Sequence, residues 1–376
     1  MFFTRRSILI LCLALAAPAA EANNEIIHTY RSLRSYSLGG TWVTTGEYAD
    51  ALFGNPARHA AVEEGKFSLI DLTLAFNPRL ITSIGDVTKV KGSGAEVVST
   101  IAPLVGENLH GRVSLLIAGY SAEFFSERLA FAAGFLFNTQ INVLPHFDTS
   151  VDSQTYVDAG PHAGIAYRML DGALSVGVNL HLSYRVAVDR RVVALDLISS
   201  GNKLGLKTLG TEGIGADGDI GAFYKIPWEL SYARFSAGLS LNNLAQSTYT
   251  LVQTKLIAKD AGEHPPRNSR TANMGVRADF PDVWIMKNNF FAVEFTDLGS
   301  HPYRSSLGKK VHFGGETQLR KWLHVRAGVH QGYPGGGFGF VFPVFRADIA
   351  TWGEELGTTA GMHQDRRVGL RLAAEI

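Results

Sequence analysis

Residues 174–186 read Leu-Ser-Val-Gly-Val-Asn-Leu-His-Leu-Ser-Tyr-Arg-Val, apolar or aromatic at every even position and polar or glycine at every odd one. A period of two predicts a strand with two unlike faces. At roughly 3.3 Å per residue the strand would be about 40 Å long, long for a sandwich strand but suited to a tilted crossing of a bilayer's hydrocarbon core. Its polar face then needs something other than lipid to look into. A closed barrel supplies a lumen and leaves no open edge.

The same alternation recurs along the chain. Residues 67–77 set Ile70, Leu72, Leu74 and Phe76 against Asp71 and Thr73, and further strands are expected at 112–121, 129–140, 156–168, 217–226, 235–241, 271–280, 290–296, 311–319, 323–330, 336–342, 345–352 and 367–376. With 174–186 that makes about fourteen, an even number as single-chain bacterial barrels require. The connections sort into two classes. Short ones, such as 170–172, 320–322 and 343–344, alternate with long ones, such as 78–111, 187–216 and 242–270, with 332–335 the exception. Short turns belong on the periplasmic side and long loops outside, which predicts that both termini are periplasmic. Apolar spacings at 95–105 and 192–198 predict short helices in two extracellular loops. The expected fold class is all-β: a transmembrane antiparallel barrel.

Ahead of the strands, Arg5-Arg6, an apolar run at 7–17 and Ala20-Glu21-Ala22 have the layout of a Sec signal peptide, giving residues 1–22 as signal, 23–64 as an N-terminal segment and 65–376 as barrel. The single cysteine, Cys12, falls in the signal, so the mature chain is expected to have no disulfide and no thiol chemistry. A balance of 35 Lys+Arg against 34 Asp+Glu gives no sign of a nucleic-acid partner. Trp228, Tyr232, Trp284, Trp322, Tyr333 and Trp352 fall near strand ends, as interface girdles would.

Residues 38–40, Leu-Gly-Gly, and 50–57, Asp-Ala-Leu-Phe-Gly-Asn-Pro-Ala, stand before the first strand, and Asn-Pro there signals a turn or helix rather than wall. In these two motifs, and in the C-terminal run through Gly314-Gly315-Glu316, 323–328, 337–340 and Asp365-Arg366-Arg367, the chain resembles the FadL-like outer-membrane barrels, particularly the PorV/TraF-type branch. The resemblance covers both ends, and the middle by strand count. It implies a fourteen-stranded barrel with its N-terminal segment plugging the lumen, so Asp50, Leu52, Phe53, Asn55 and Pro56 are the expected plug and gating residues. FadL itself passes hydrophobic molecules, whereas PorV-type members serve protein secretion.

The expected lumen face carries both signs of charge, with Asp71, Asp158, Glu294 and Glu316 against Arg185, Arg277, Arg326 and Arg346, and with His162 and His181 among them. Structural ion pairing outweighs a charged conduction path as a reading of these residues, since buried charges need partners. Alternation alone brings no set of metal ligands together, and no Gly-x-Ser-x-Gly or His-Glu-x-x-His signature is present. No cofactor, metal or catalysis is expected. A lumen lined by Arg and Asp is no greasy tunnel, so hydrophobic cargo would need an apolar pocket or a lateral exit, and Pro161, which cannot donate to a ladder, marks a place where pairing could break. Two functions stay open: a gated conduit or binding barrel for small hydrophobic molecules in the outer membrane, or a non-transporting barrel that binds secretion-system or envelope proteins. Outer-membrane lipid is a partner in either.

Overall fold

The computed structural model describes residues 23–62, 65–87, 102–148, 150–193, 206–228, 230–251, 256–258, 263–299 and 305–376. The expected signal peptide lies outside them. The strands are β1 (Lys66–Phe76), β2 (Leu109–Ser121), β3 (Leu129–Pro145), β4 (Ser150–Met169), β5 (Leu174–Val193), β6 (Thr211–Lys225), β7 (Arg234–Asn242) and β8 (Thr250–Leu251). They continue with β9 (Thr271–Phe280), β10 (Lys287–Leu298), β11 (Val311–Arg320), β12 (Leu323–His330), β13 (Tyr333–Val341), β14 (Phe345–Glu355) and β15 (Gln364–Glu375).

Every strand except β8 pairs antiparallel with both neighbours in the wall, β7 joins β9, and β1 joins β15, so fourteen strands close a ring. Closure matters because a row of unpaired amides facing hydrocarbon would be costly. The two-residue β8, which alternation did not reveal, is a hook that pairs with Gly213 and Ile214 of β6. All fourteen expected strands are present, most of them longer than the sequence pattern showed. β4 and β5 run 20 residues each and stand above their shorter neighbours at the end with the long connections.

The two faces follow the alternation. On the outer surface Leu180 is 66% exposed and Val276 49%, so these side chains pack in no soluble core and need hydrocarbon around them. The inner face is filled. Residues 23–62 run through the lumen as α1 (Leu33–Ser37), α2 (Ala49–Phe53) and the 3-10 turn Pro56–Ala61, joined by irregular chain. Ser32 caps α1 by accepting from the Ser35 amide, and Gly39 and Gly40 end it with φ of 65° and 84°, a conformation that suits glycine.

Three expectations need correcting. The amide of Asn23 donates to Asp152 and that of Asn24 to the Leu356 carbonyl, so residues 23–24 sit at the long-connection end, and the C-terminus alone lies at the short-turn end beside Phe67. Strand parity places residue 66, but says nothing of a segment that first traverses the lumen. Tyr333 and Trp352 are buried inside rather than in a girdle, because Trp352 shares the inward parity of Arg346 and Asp348 and stacks on Tyr36 at 4.4 Å. Trp228, Tyr232, Trp284 and Trp322 are exposed near the short turns. The helix expected at 192–198 is not there at its start, since Val192 and Val193 extend β5; residues 194–198 and 95–101 lie outside the described residues, and 102–104 form a 3-10 turn. The same connections hold α3 (Pro78–Val87) and α4 (Leu206–Leu209).

Val178 faces outward and pairs across to Ile165 and Ile220. Val178→Arg is expected to cost about 2–4 kcal/mol at mid-membrane depth, read as a lower unfolding midpoint in lipid vesicles; an unchanged midpoint would contradict the lipid-facing assignment.

Candidate functional site

The lumen is built by close fit between the N-terminal segment and inward glycines. A Cβ placed on Gly164, Gly177, Gly221, Gly314, Gly328 or Gly337 would come closer than 3.0 Å to His59, Pro56, Asn55, Leu38, Gly39 or Ser37 respectively. Side chains there would push the segment out of the barrel. Where the fit is apolar, Leu52 is fully buried among Leu116, Ala118, Tyr120, Ala132 and Leu136.

Glu294 on β10 makes the most concentrated polar contact. Its carboxylate accepts from the amides of Trp42 (2.7 Å), Val43 (2.8 Å) and Thr44 (2.8 Å) and from the Thr44 hydroxyl (2.7 Å). Gly275, its cross-strand partner on β9, leaves the room that the side chain occupies. Three successive amides around one carboxylate form an anion nest in reverse, with the anion supplied by the wall. Sequence reasoning placed Glu294 inward but missed its partners, since backbone amides leave no trace in residue identity.

Asn55 holds the next turn: its Nδ2 donates to the carbonyls of Val43 (2.9 Å) and Ala222 (3.2 Å), and its Oδ1 accepts from the Ala57 amide (3.1 Å). Pro56 occupies the first position of the turn that follows, where it needs no N–H. Asp50 is buried in α2 beside Ser32. Burial pushes the His59 imidazole down to about 4, so it stands neutral against the Asn179 amide oxygen at 3.0 Å.

The expected lumen charges all face inward and are engaged. Arg34 of the segment meets Glu316, Glu316 meets Arg326, Arg326 and Arg371 share Asp348 with Arg346, and Arg371 grips Asp71 at 2.8 and 2.7 Å. Arg185 binds Asp158 through two nitrogens at 2.6 and 3.1 Å. Arg277 pairs with Asp279 and lies over the Phe290 ring. His162 and His181, opposed across β4 and β5, hydrogen-bond to each other. Among the described residues no cluster of three metal-binding side chains occurs.

A cavity of about 120 Å³ remains between the segment and the tall side of the wall. Tyr30, Trp42 and Phe53 line it from the segment, and His162, His181 and Arg185 from β4 and β5. It brings together Phe53 with His162 and His181, which the sequence had named separately, while Asp50, Leu52, Glu294 and Arg326 are not among its lining residues.

No protein-family model and no curated protein sequence matches the chain. Solved structures do. Two crystal structures of the toluene transporter TodX of Pseudomonas putida align with TM-scores of 0.52 and 0.53, at 10% and 12% identity, over 93% and 94% of this chain and 98% of TodX. The likeness is one of fold, a closed barrel of fourteen antiparallel strands. The toluene transporter TbuX of Ralstonia pickettii aligns at a TM-score of 0.51 and 14% identity, over 92% of this chain and 97% of its own. Likeness at this identity concerns the backbone and leaves cargo to the site itself.

Glu294→Gln replaces one of two acceptor oxygens with a donor aimed at amide donors. The expected loss is about 1.5–3 kcal/mol for each charged hydrogen bond removed, seen as faster hydrogen exchange at Trp42, Val43 and Thr44 while the strand amides stay protected. Equal protection in the variant would refute the anchoring role.

Proposed function

We propose that this protein is a bacterial outer-membrane barrel that binds and passes small hydrophobic molecules, with residues 23–62 as its plug and Asp50, Leu52, Phe53, Asn55 and Pro56 as the part that gates it. The observation that carries this reading is the place where the cavity meets the wall. The β4–β5 ladder is paired as far as Ala159 with Tyr184 and resumes at His162 with His181, leaving Gly160 and Pro161 between. Ser183, across from that gap, lines the cavity, as do His162 and His181 on its near side. Proline has no N–H to give, so the strand boundary is weakly held there. The outer face of β4 to β7 carries an apolar hollow lined by Val176, Val178, Ile220 and Leu239, which lipid tails can fill.

A molecule arriving from the long-connection end rests against Phe53 and leaves sideways at Pro161 when residues 50–57 shift. The paired charges Asp71, Asp158, Arg185, Arg326 and Arg346 hold the remaining lumen shut rather than receive cargo. Export by a Sec signal and a periplasmic C-terminus belong to the same reading. The fold it shares with the toluene transporters TodX and TbuX supports it.

A second reading has one observation in its favour. Phe125, Trp228 and Trp284, at the short turns, are 93%, 64% and 89% exposed, a surface that a PorV/TraF-type barrel could offer to a secretion-system or envelope protein.

Toluene uptake by Gram-negative cells separates the two. Cells producing the protein are expected to take up toluene several-fold faster than cells without it, with a further change in Asn55→Ala and Pro56→Ala. Equal uptake, together with purified protein free of bound ligand by mass spectrometry and a co-purifying protein partner, would replace transport with the second reading.

A further inference from the structure

At the short-turn end of the lumen a buried cation stands without a carboxylate of its own. Arg58, in the turn Pro56–Ala61, is 6% exposed; its Nε donates to the Gly46 carbonyl at 3.0 Å and its guanidinium lies 4.4 Å from the centre of the Phe223 ring. Its two terminal nitrogens have no hydrogen-bond or ion-pair partner among the described residues. Buried charges ordinarily find partners, and Arg34, Arg185, Arg326, Arg367 and Arg371 in the same lumen each meet a carboxylate. The carboxylates that act on Arg58 are Glu47 and Asp279, and both are held by others, Glu47 by Arg34 at 3.3 Å and Asp279 by Arg277 at 2.6 Å. Burial, together with Arg277 and Arg34, pushes the Arg58 guanidinium down to about 10, so at neutral pH it stays charged and gains from an added anion.

Strand register sets more cations around it. Lys225 ends β6 and Arg234 begins β7, and by alternation they share the inward side of Phe223 and Ser236. Lys225 pairs across to Ser236, Ser236 to Arg277, and Arg234 to Asp279. Lys225 and Arg234 are exposed at the mouth and have no ion-pair partner among the described residues, while the Ser236 hydroxyl is buried with no hydrogen-bond partner there. Plug and wall therefore turn like charges toward each other, with Asp279 already committed to Arg277. We infer that this mouth is an anion site for a phosphate group, received by the terminal nitrogens of Arg58 on the plug and by Lys225 and Arg277 on the wall. A guanidinium fork matches paired oxygens, and a phosphate monoester, at about −1.5 to −2 near neutral pH, answers more of these cations than the single charge of a carboxylate. Bound there, it replaces repulsion between plug and wall with a tie between the turn that follows Asn55 and the strands β6 to β9.

Inorganic phosphate is the probe, with acetate as a singly charged control, each titrated into the full chain in neutral detergent at fixed ionic strength. Saturable phosphate binding is expected, several-fold tighter than acetate, with hydrogen exchange at residues 57–61 slowed in the bound form. Arg58→Gln and, separately, Lys225→Gln should each weaken phosphate about tenfold, the scale of one charged hydrogen bond. Lys225 is exposed, so its variant decides the matter even if Arg58→Gln fails to fold. Absence of saturable phosphate binding overturns the inference, as does acetate binding equally well or an affinity that neither variant weakens. In lipid nanodiscs without free phosphate, slowed exchange at 57–61 on adding phosphatidic acid identifies a lipid phosphate as the source; slowing by inorganic phosphate alone identifies a soluble one. No hydrophobic cargo enters these measurements, so their failure leaves the transport reading standing.

Discussion

Carboxylates on the wall that accept hydrogen bonds from backbone amides hold together the parts of this protein that are not strands. Strands in a closed barrel satisfy one another's amides, but an irregular segment inside the lumen has neither a ladder nor free water. Glu294 solves this for residues 42–44. The same device recurs at the long-connection end, where Glu212 takes the amides of Leu256, Ile257 and Ala258, Asp217 those of Ala245 and Ser247, and Glu355 those of Gly357, Met362 and His363. One carboxylate offers about four acceptor sites, enough for a whole turn of chain.

The ion pairs of the lumen act differently. Burying Asp348 among Arg326, Arg346 and Arg371 gains less net stability than the short contacts suggest, since each charge had to leave water. Removing one partner would strand the others, so these pairs fix a single seating of the segment. The inward glycines do the same through shape. Together they make the filled lumen specific both on the β10 to β15 side and, through Gly164, Gly177 and Gly221, at the short-turn end of β4 to β6, and the cavity lies beyond these close contacts, beside His162, His181 and Asp217.

The segment is anchored to the wall at both ends and along its length. The segment is tied at its start by Asp152 and by Lys309, whose ammonium donates to the Asn24 carbonyl, and at its end by Arg168, which donates to the carbonyls of Ala60 and Val62. Between these ties, the stretch from Ala49 to Ala57 presents Phe53 to the cavity and depends on Asn55 for its polar contacts with Val43 and Ala222. Wall side chains hold this stretch as well, Asn179 donating to the Ala51 carbonyl at 2.9 Å and Asn242 to that of Gly54 at 2.8 Å.

Strand positions, their number and the two faces were legible in the sequence because a period of two is a one-dimensional signal. Leu180 must point away from His181 in any strand that contains both. Asn55-Pro56 was legible as a break for a similarly local reason, since proline and a side-chain cap act within a few residues. Which inward groups meet was not legible. Asp158 finds Arg185, and His162 finds His181, through the register of β4 on β5, and Glu294 finds three amides 250 residues away that no side chain advertises. The N-terminal segment's direction through the lumen, the inward turn of Trp352 and the cavity beside Pro161 were likewise settled by the tertiary structure. Register and packing are properties of pairs of distant segments, and a single sequence carries the preferences of each segment but not the geometry between them.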